Sequence, residues 1–233
     1  MTDYLHRKLH NLTHPMLGRI LMLHRVVEQR SEGVNRELEV TPAFLEQTIC
    51  DYQAQGHRFV SIDKVINTEL NTRNTTPFVC LTFDDAYSDT FHTAYPILKR
   101  LNIPFAVYVT TGFIDHSAQM WWYDTTDVMS WEQIKALDDD PLCTLGAHTV
   151  SHPRLSALTV QAAHQEIEDS RRRLEAMLAH PVVHFSYPHG DYNDDVIHIV
   201  ESLHFHSALR SWGGTVRKGA PLLELPRIEL QMQ

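Results

Sequence analysis

A chain of 233 residues, 43% apolar and 21% charged, can bury a full core as one globular domain over 1–233, and the length suits a single α/β barrel. The formal net charge is −9, and the only basic run, Arg171-Arg172-Arg173, falls inside a helical pattern, so no nucleic-acid partner is expected. Cys50, Cys80 and Cys143 are far apart and odd in number; they suggest neither a disulfide framework nor a CxxC zinc site, and are expected to be buried free thiols in a reducing compartment.

The N-terminus is polar, and the first apolar run, 17–27, is broken by Arg19, His24 and Arg25. It is neither a signal segment nor a membrane span, which predicts a cytoplasmic protein. Residues 19–23 read as a buried strand ending in His24. Thr41-Pro42 opens a helix with a hydroxyl cap and a proline in the first turn; Phe44, Leu45, Thr48, Ile49 and Tyr52 keep helical spacing until Gly56. A short strand follows at 59–62, then a small helix from about Asp63. Residues 78–83 form an apolar strand, and a helical stretch to about Leu101 is kinked or split by Pro96.

Residues 105–109 are another uninterrupted strand. The stretch 115–140 is looser, with Trp121-Trp122-Tyr123 and a helix start at Ser130. Strand 143–147 and a helix over 160–178 come next, with Val160, Ala163, Ile167, Leu174 and Met177 on one face. Strands at 182–187, 206–209 and 227–230 complete the pattern. Alternating strands and helices, with strands that read as continuous apolar runs, predict a parallel sheet covered on both faces; seven or eight strands in this length favour a barrel.

Strand ends carry the chemistry. Asp84 and Asp85 close the run Phe78-Val-Cys-Leu-Thr-Phe-Asp-Asp, His24 follows the first strand, and His148-Thr-Val-Ser-His152-Pro follows strand 143–147. In parallel α/β folds the carboxyl ends of the strands open on one side, so these residues are expected to converge. Adjacent carboxylates at the tip of a buried strand repel each other and resist desolvation, which calls for a nearby cation or for proton chemistry. Two imidazoles four residues apart and one carboxylate make a set for a divalent transition metal with an open position; the second carboxylate is left to act as a base. Attack on a carbonyl also needs oxyanion stabilisation and an acid for the leaving group. A backbone N–H in the turn Tyr187-Pro188-His189-Gly190 suits the first role, and His24 the second. Trp122, beside Trp121 and Tyr123, is of a type that stacks on sugar rings or packs in a core.

The segments Thr82-Phe-Asp-Asp85, His148-Thr-Val-Ser-His152-Pro153 and Tyr187-Pro-His-Gly190 resemble, in order and separation, the first three motifs of the polysaccharide deacetylase family (NodB homology domain, carbohydrate esterase family 4), over roughly residues 20–230. The resemblance implies a distorted (β/α)7 barrel, Asp84 as general base, and Asp85, His148 and His152 as ligands of a divalent metal, most often zinc, with cobalt or nickel as alternatives. Two departures stand out. Many members carry an arginine in the third motif that holds the catalytic Asp, and a C-terminal Leu-x-x-x-His motif with the general acid; neither is present here. A permuted branch, which includes poly-N-acetylglucosamine deacetylases of biofilm operons, places that histidine after the first strand, as Leu21-Met-Leu-His24 does. Arg227, on the last predicted strand, is the candidate substitute for the arginine.

The expected activity is metal-dependent removal of N-acetyl groups from an acetamido sugar in a polysaccharide, oligosaccharide or glycan precursor. The alternatives are a sugar O-acetyl esterase with the same site and a non-catalytic glycan-binding barrel. The plainer readings are a strand-end turn for Asp84-Asp85, chance spacing for His148 and His152 among 16 histidines, a core-edge residue for His24 and a surface pair for Arg227.

Overall fold

The structure, a computed structural model, describes residues 15–33, 35–70, 76–116, 120–122 and 127–232. The polar N-terminal stretch and Tyr123 lie outside these. The described residues form eleven strands: β1 (Met16–Leu23), β2 (Arg25–Val26), β3 (Glu39–Val40), β4 (Arg58–Phe59), β5 (Phe78–Asp84), β6 (Phe105–Val109), β7 (Cys143–Ala147), β8 (His184–Ser186), β9 (Ser207–Gly213), β10 (Val216–Arg217) and β11 (Leu225–Glu229). Seven of them, in the order β1-β5-β6-β7-β8-β9-β11, pair in parallel and close on themselves through β11–β1, giving the expected seven-stranded parallel barrel with helices outside.

The helices are α1 (Pro42–Ala54), α2 (Ile62–Lys64), α3 (Tyr95–Leu101), α4 (Trp131–Asp138), α5 (Val160–Leu178) and α6 (Asp194–Ser202). Their starts follow local chemistry. The hydroxyls of Thr41, Ser130 and Thr159 and the amide of Asn193 accept N–H groups that a first turn leaves orphaned. Ser130 and Gln133 form a reciprocal capping box. Pro96 splits its segment as expected: a wide π turn over Thr90–Ala94 precedes α3, whose first turn holds the proline.

The predicted strand 59–62 is shorter, because the Ser61 hydroxyl accepts the Lys64 N–H and turns the chain into α2 at Ile62. The last strand begins at Leu225 rather than Arg227, and β9 runs on past Leu209 to Gly213. β2, β3 and β10 have two residues each, too few for a sequence period to show.

One apolar layer fills the space between barrel and helices and includes Leu21, Phe83, Val107, Leu145, Phe185 and Ile167. A second fills the barrel itself. There Ile62, Val65, Ile66 and Leu70 pack with Ile20, Phe78, Cys80, Tyr108 and Leu209, so the segment after β4 stoppers the end of the barrel at which the strands begin. Cys50 is exposed, contrary to the expected burial of all three thiols, because it falls on the outer face of α1, next to the buried Ile49; Cys80 is buried and Cys143 partly so. Among the described residues no helix is long and apolar enough to cross a membrane.

Candidate metal centre and catalytic carboxylate

The two aspartates part company because the strand ends between them. Asp84 is the last residue of β5, on the same face as Thr82, whereas Asp85 and Ala86 take left-handed backbone (φ 71° and 57°) that breaks the alternation. Non-glycine residues in that region cost about 1–3 kcal/mol each and persist where their surroundings hold them. Thr149 (φ 65°), His152 (φ 60°) and His189 (φ 59°) share it, so left-handed backbone gathers at the mouth where the strands end.

Asp84 faces Arg227. The guanidinium donates from Nη1 to Oδ1 at 2.8 Å and from Nη2 to Oδ2 at 2.7 Å, a buried fork-on-fork pair. Nη2 also donates to Ser186 Oγ (2.8 Å), which donates to Asp84 Oδ2 (3.1 Å). Nη1 reaches Thr82 Oγ1 at 3.2 Å, and Nε reaches the Arg210 carbonyl at 3.1 Å. That carbonyl is available because the β9–β11 register shifts between Leu225 and Arg227, the local disruption that re-aims side chains. Gly213, opposite Arg227, has φ 111°, and a Cβ there would meet Arg210 and Pro226 within 3 Å. Burial works to raise the Asp84 carboxyl; Arg227, His148 and the paired hydrogen bonds outweigh it and hold the group below the ordinary carboxylate range.

Asp85 faces the imidazoles. Its Oδ1 lies 3.6 Å from Nε2 of both His148 and His152, and ligand atoms of the three residues all fall within 4.8 Å of one another. These gaps are too long for hydrogen bonds. Two ligand atoms each about 2 Å from one ion at a tetrahedral angle stand about 3.3 Å apart, so the spacing suits a shared cation. His148 Nδ1 donates to the Ser186 carbonyl at 2.7 Å, which leaves Nε2 as its lone-pair nitrogen. Burial pushes both imidazoles below their ordinary pKa, towards the neutral, ligating form. It pushes the Asp85 carboxyl up to about 8, with the Asp84 charge adding to the rise and hydrogen bonds from Thr110, Tyr87 and Trp122 opposing it. A carboxyl whose ionisation burial disfavours, with two neutral imidazoles beside it, is a site whose charged form a divalent cation would stabilise.

His24, just past β1, joins the same cluster. Burial lowers its pKa to about 4, Asp84 works against that, and Arg227 and His148 add to it. Trp122 lies against His152, ring centroids 4.2 Å apart, and its Nε1 donates to the Tyr87 hydroxyl at 3.1 Å. His189 lies 4.5 Å from the His152 ring. Tyr187 is not free to meet a substrate: its hydroxyl donates to the Leu223 carbonyl, its N–H to the Leu209 carbonyl, and its ring stacks on Tyr192. It anchors the turn, and Pro188, which has no N–H, shapes it.

Sequence reasoning missed Ser186, Thr82, Thr110 and Tyr87. Each is an ordinary residue at or beyond a strand end, and only closure of the barrel reveals its partner. Arg25, the neighbour of His24, was also passed over; it pairs with Asp89 at 2.6 Å and lies over the Tyr87 ring.

Comparison with known proteins agrees with this fold. The polysaccharide deacetylase family model matches residues 71–208. YxkH of Bacillus subtilis (strain 168), which bears that family's name, is 25% identical over 152 residues, 65% of this chain; the chain spans about half, 51%, of that relative. Among solved structures, the Streptococcus pyogenes deacetylase PplD in complex with acetate is 27% identical with a TM-score of 0.79, covering 94% of each chain. IcaB from Ammonifex degensii has the same fold at 21% identity, with a TM-score of 0.83 over 94% of this chain and 93% of its own. The family match takes in more than half of the chain and both the Asp84-Asp85 and His148–His152 segments, and the chain belongs to the polysaccharide deacetylase family.

Proposed function

We propose that the chain is a metal-dependent hydrolase that removes N-acetyl groups from an acetamido sugar in a polysaccharide, oligosaccharide or glycan precursor, with zinc as the resident ion. The observation that carries this reading is the division of the aspartate pair: Asp84 is held ionised by Arg227, while Asp85 turns to His148 and His152. A pure glycan binder has no use for a second, ionised carboxylate beside a ligand set.

Asp85, His148 and His152 would hold the ion, which supplies an acidified water and polarises the acetyl carbonyl. Asp84 is the base that takes the proton from the attacking water. Arg227 is its positioning residue, fixing both carboxylate oxygens and keeping the group ionised across the working pH range. The His189 N–H, in the strained turn at the barrel mouth, stabilises the oxyanion. His24 delivers a proton to the departing amine; with its pKa lowered to about 4 the ring is neutral at rest, so the proton it delivers is the one Asp84 takes from the attacking water. Trp122 offers an aromatic wall for the sugar next to the ligand His152.

The test is acetate release from N-acetylglucosamine oligomers by chelated protein reloaded with zinc, cobalt or nickel. Asp84→Asn and His24→Ala are each expected to lower turnover by about 10²–10⁴-fold with metal content intact. Unchanged turnover in Asp84→Asn would overturn the base assignment, and loss of metal in His24→Ala would make His24 a ligand. Parallel assays on O-acetylated sugars distinguish amide from ester hydrolysis.

A further inference from the structure

The loop between the two histidine ligands is held by a carboxylate that belongs to neither the ligand set nor the catalytic pair. Glu166 stands almost two turns into α5. Its Oε2 accepts the N–H groups of Val150 (3.0 Å) and Ser151 (2.9 Å), and its Oε1 accepts the Ser151 hydroxyl at 2.7 Å. One side chain thus receives three hydrogen bonds from two consecutive loop residues.

The loop needs such a hold. Thr149 and His152 are both left-handed, a costly backbone for non-glycine residues that does not persist unaided. The two histidines are also anchored differently. His148 has its own tie, Nδ1 to the Ser186 carbonyl. His152 Nδ1 has no hydrogen-bond partner, so the aim of its ring depends on the backbone that carries it and on the Trp122 ring beside it. That backbone is fixed on one side by Gly112, whose N–H donates to the Val150 carbonyl at 2.8 Å and where a Cβ would lie 2.4 Å from the same oxygen. Glu166 fixes it on the other. The Ser151 carbonyl in turn accepts Trp121 Nε1 at 3.3 Å, so the same residue that Glu166 holds also seats an indole beside the histidines.

We propose that Glu166 is a positioning residue of the metal centre, its carboxylate setting the backbone from which His152 reaches the ion. This rests on the metal reading above and not on the identity of the sugar. The experiment is zinc affinity by competition with a chromogenic chelator, together with the melting temperature of the zinc-free protein. Glu166→Ala is expected to weaken zinc binding by about 10–100-fold, the usual effect of losing a group that orients a ligand. Glu166→Gln keeps one acceptor oxygen for the two N–H groups and is expected to fall between Ala and the unsubstituted protein. A merely structural tie would lower the zinc-free melting temperature and leave the affinity where it was, and that outcome overturns the proposal. If Glu166→Ala does not fold, Glu166→Gln and Ser151→Ala carry the test, and unchanged affinity in both overturns it equally. Zinc binding is read without any sugar, so failure to deacetylate would leave this result standing, whereas a chain that binds no zinc sinks both readings.

Discussion

The two ends of the barrel hold the same residue types and use them in opposite ways. Where the strands begin, His184 donates or accepts at both ring nitrogens, Nδ1 with Ser207 Oγ at 2.8 Å and Nε2 with Asp63 Oδ1 at 3.1 Å, and Thr144 donates to the other Asp63 oxygen at 2.9 Å. Ser, His and Asp stand in a relay order there, yet Ser207 and His184 are buried and every polar atom of the ring is used. Where the strands end, His152 has one nitrogen without a partner and the other 3.6 Å from a carboxylate. The lesson is that composition does not mark a site; unspent ligand capacity does. A saturated histidine–aspartate pair is a structural fastener, and an unsaturated one is a place for an ion.

Breaking the buried pair at the outlet end should have the largest effect. Arg227→Met leaves Asp84 as an uncompensated buried charge, which is expected to cost about 3–5 kcal/mol of stability in denaturant unfolding and to abolish acetate release. Adding Asp84→Asn to it should restore most of the stability and none of the activity. A double variant no more stable than Arg227→Met would show that the pair is not the source of the loss.

Zinc sharpens the contrast. At about a hundredfold excess over its Kd the ion should add about 2.7 kcal/mol to the native state and raise the melting temperature. His152→Ala or Asp85→Asn should abolish that rise. His184→Ala should itself cost about 1–3 kcal/mol, from the polar partners it strands, and leave the zinc-dependent rise untouched. A zinc response lost in His184→Ala and kept in His152→Ala would reverse the assignment of the two ends.

The smallest effect is in the pH dependence of the chelated protein. The Asp85 carboxyl, at about 8 when folded against a reference of 3.8, binds more protons in the native state, so its contribution to stability is present at low pH and is lost as pH rises through 8. His24, lowered from 6.5 to about 4, acts with the opposite sign, but only between those two values. Between about pH 6.5 and 8, therefore, zinc-free protein should lose stability, by at most about 1.4 kcal/mol per pH unit from this group. Asp85→Asn or saturating zinc should flatten the slope; a slope unchanged by both would place its origin elsewhere.

Much of the outlet end was legible in the sequence because it is written locally. Strands 105–109 and 143–147 and the helix 160–178 agree with the structure residue for residue, since apolar runs and a Thr159 cap define them without help from the rest of the fold. The four-residue spacing of His148 and His152 and the adjacency of Asp84 and Asp85 are equally local. Thr82, Ser186 and Glu166 were not legible. A hydroxyl at a strand end and a glutamate on a helix look like thousands of others until the barrel closes around them. Arg227 lay between these cases: its residue type and strand were visible, but its aim depends on a register shift against β9 that no pattern in 225–229 announces.

Arg227 lies on the strand that seals the barrel between β9 and β1, more than 140 positions after the aspartate it clamps. The three proposed ligands, Asp85, His148 and His152, all follow β5 and β7, earlier in the chain than that strand. A chain clipped after the last helix would keep Asp84, Asp85, His148 and His152 and lose the guanidinium that pairs with Asp84. On the proposed mechanism, metal binding asks only for the earlier strands, whereas turnover also asks for the last one.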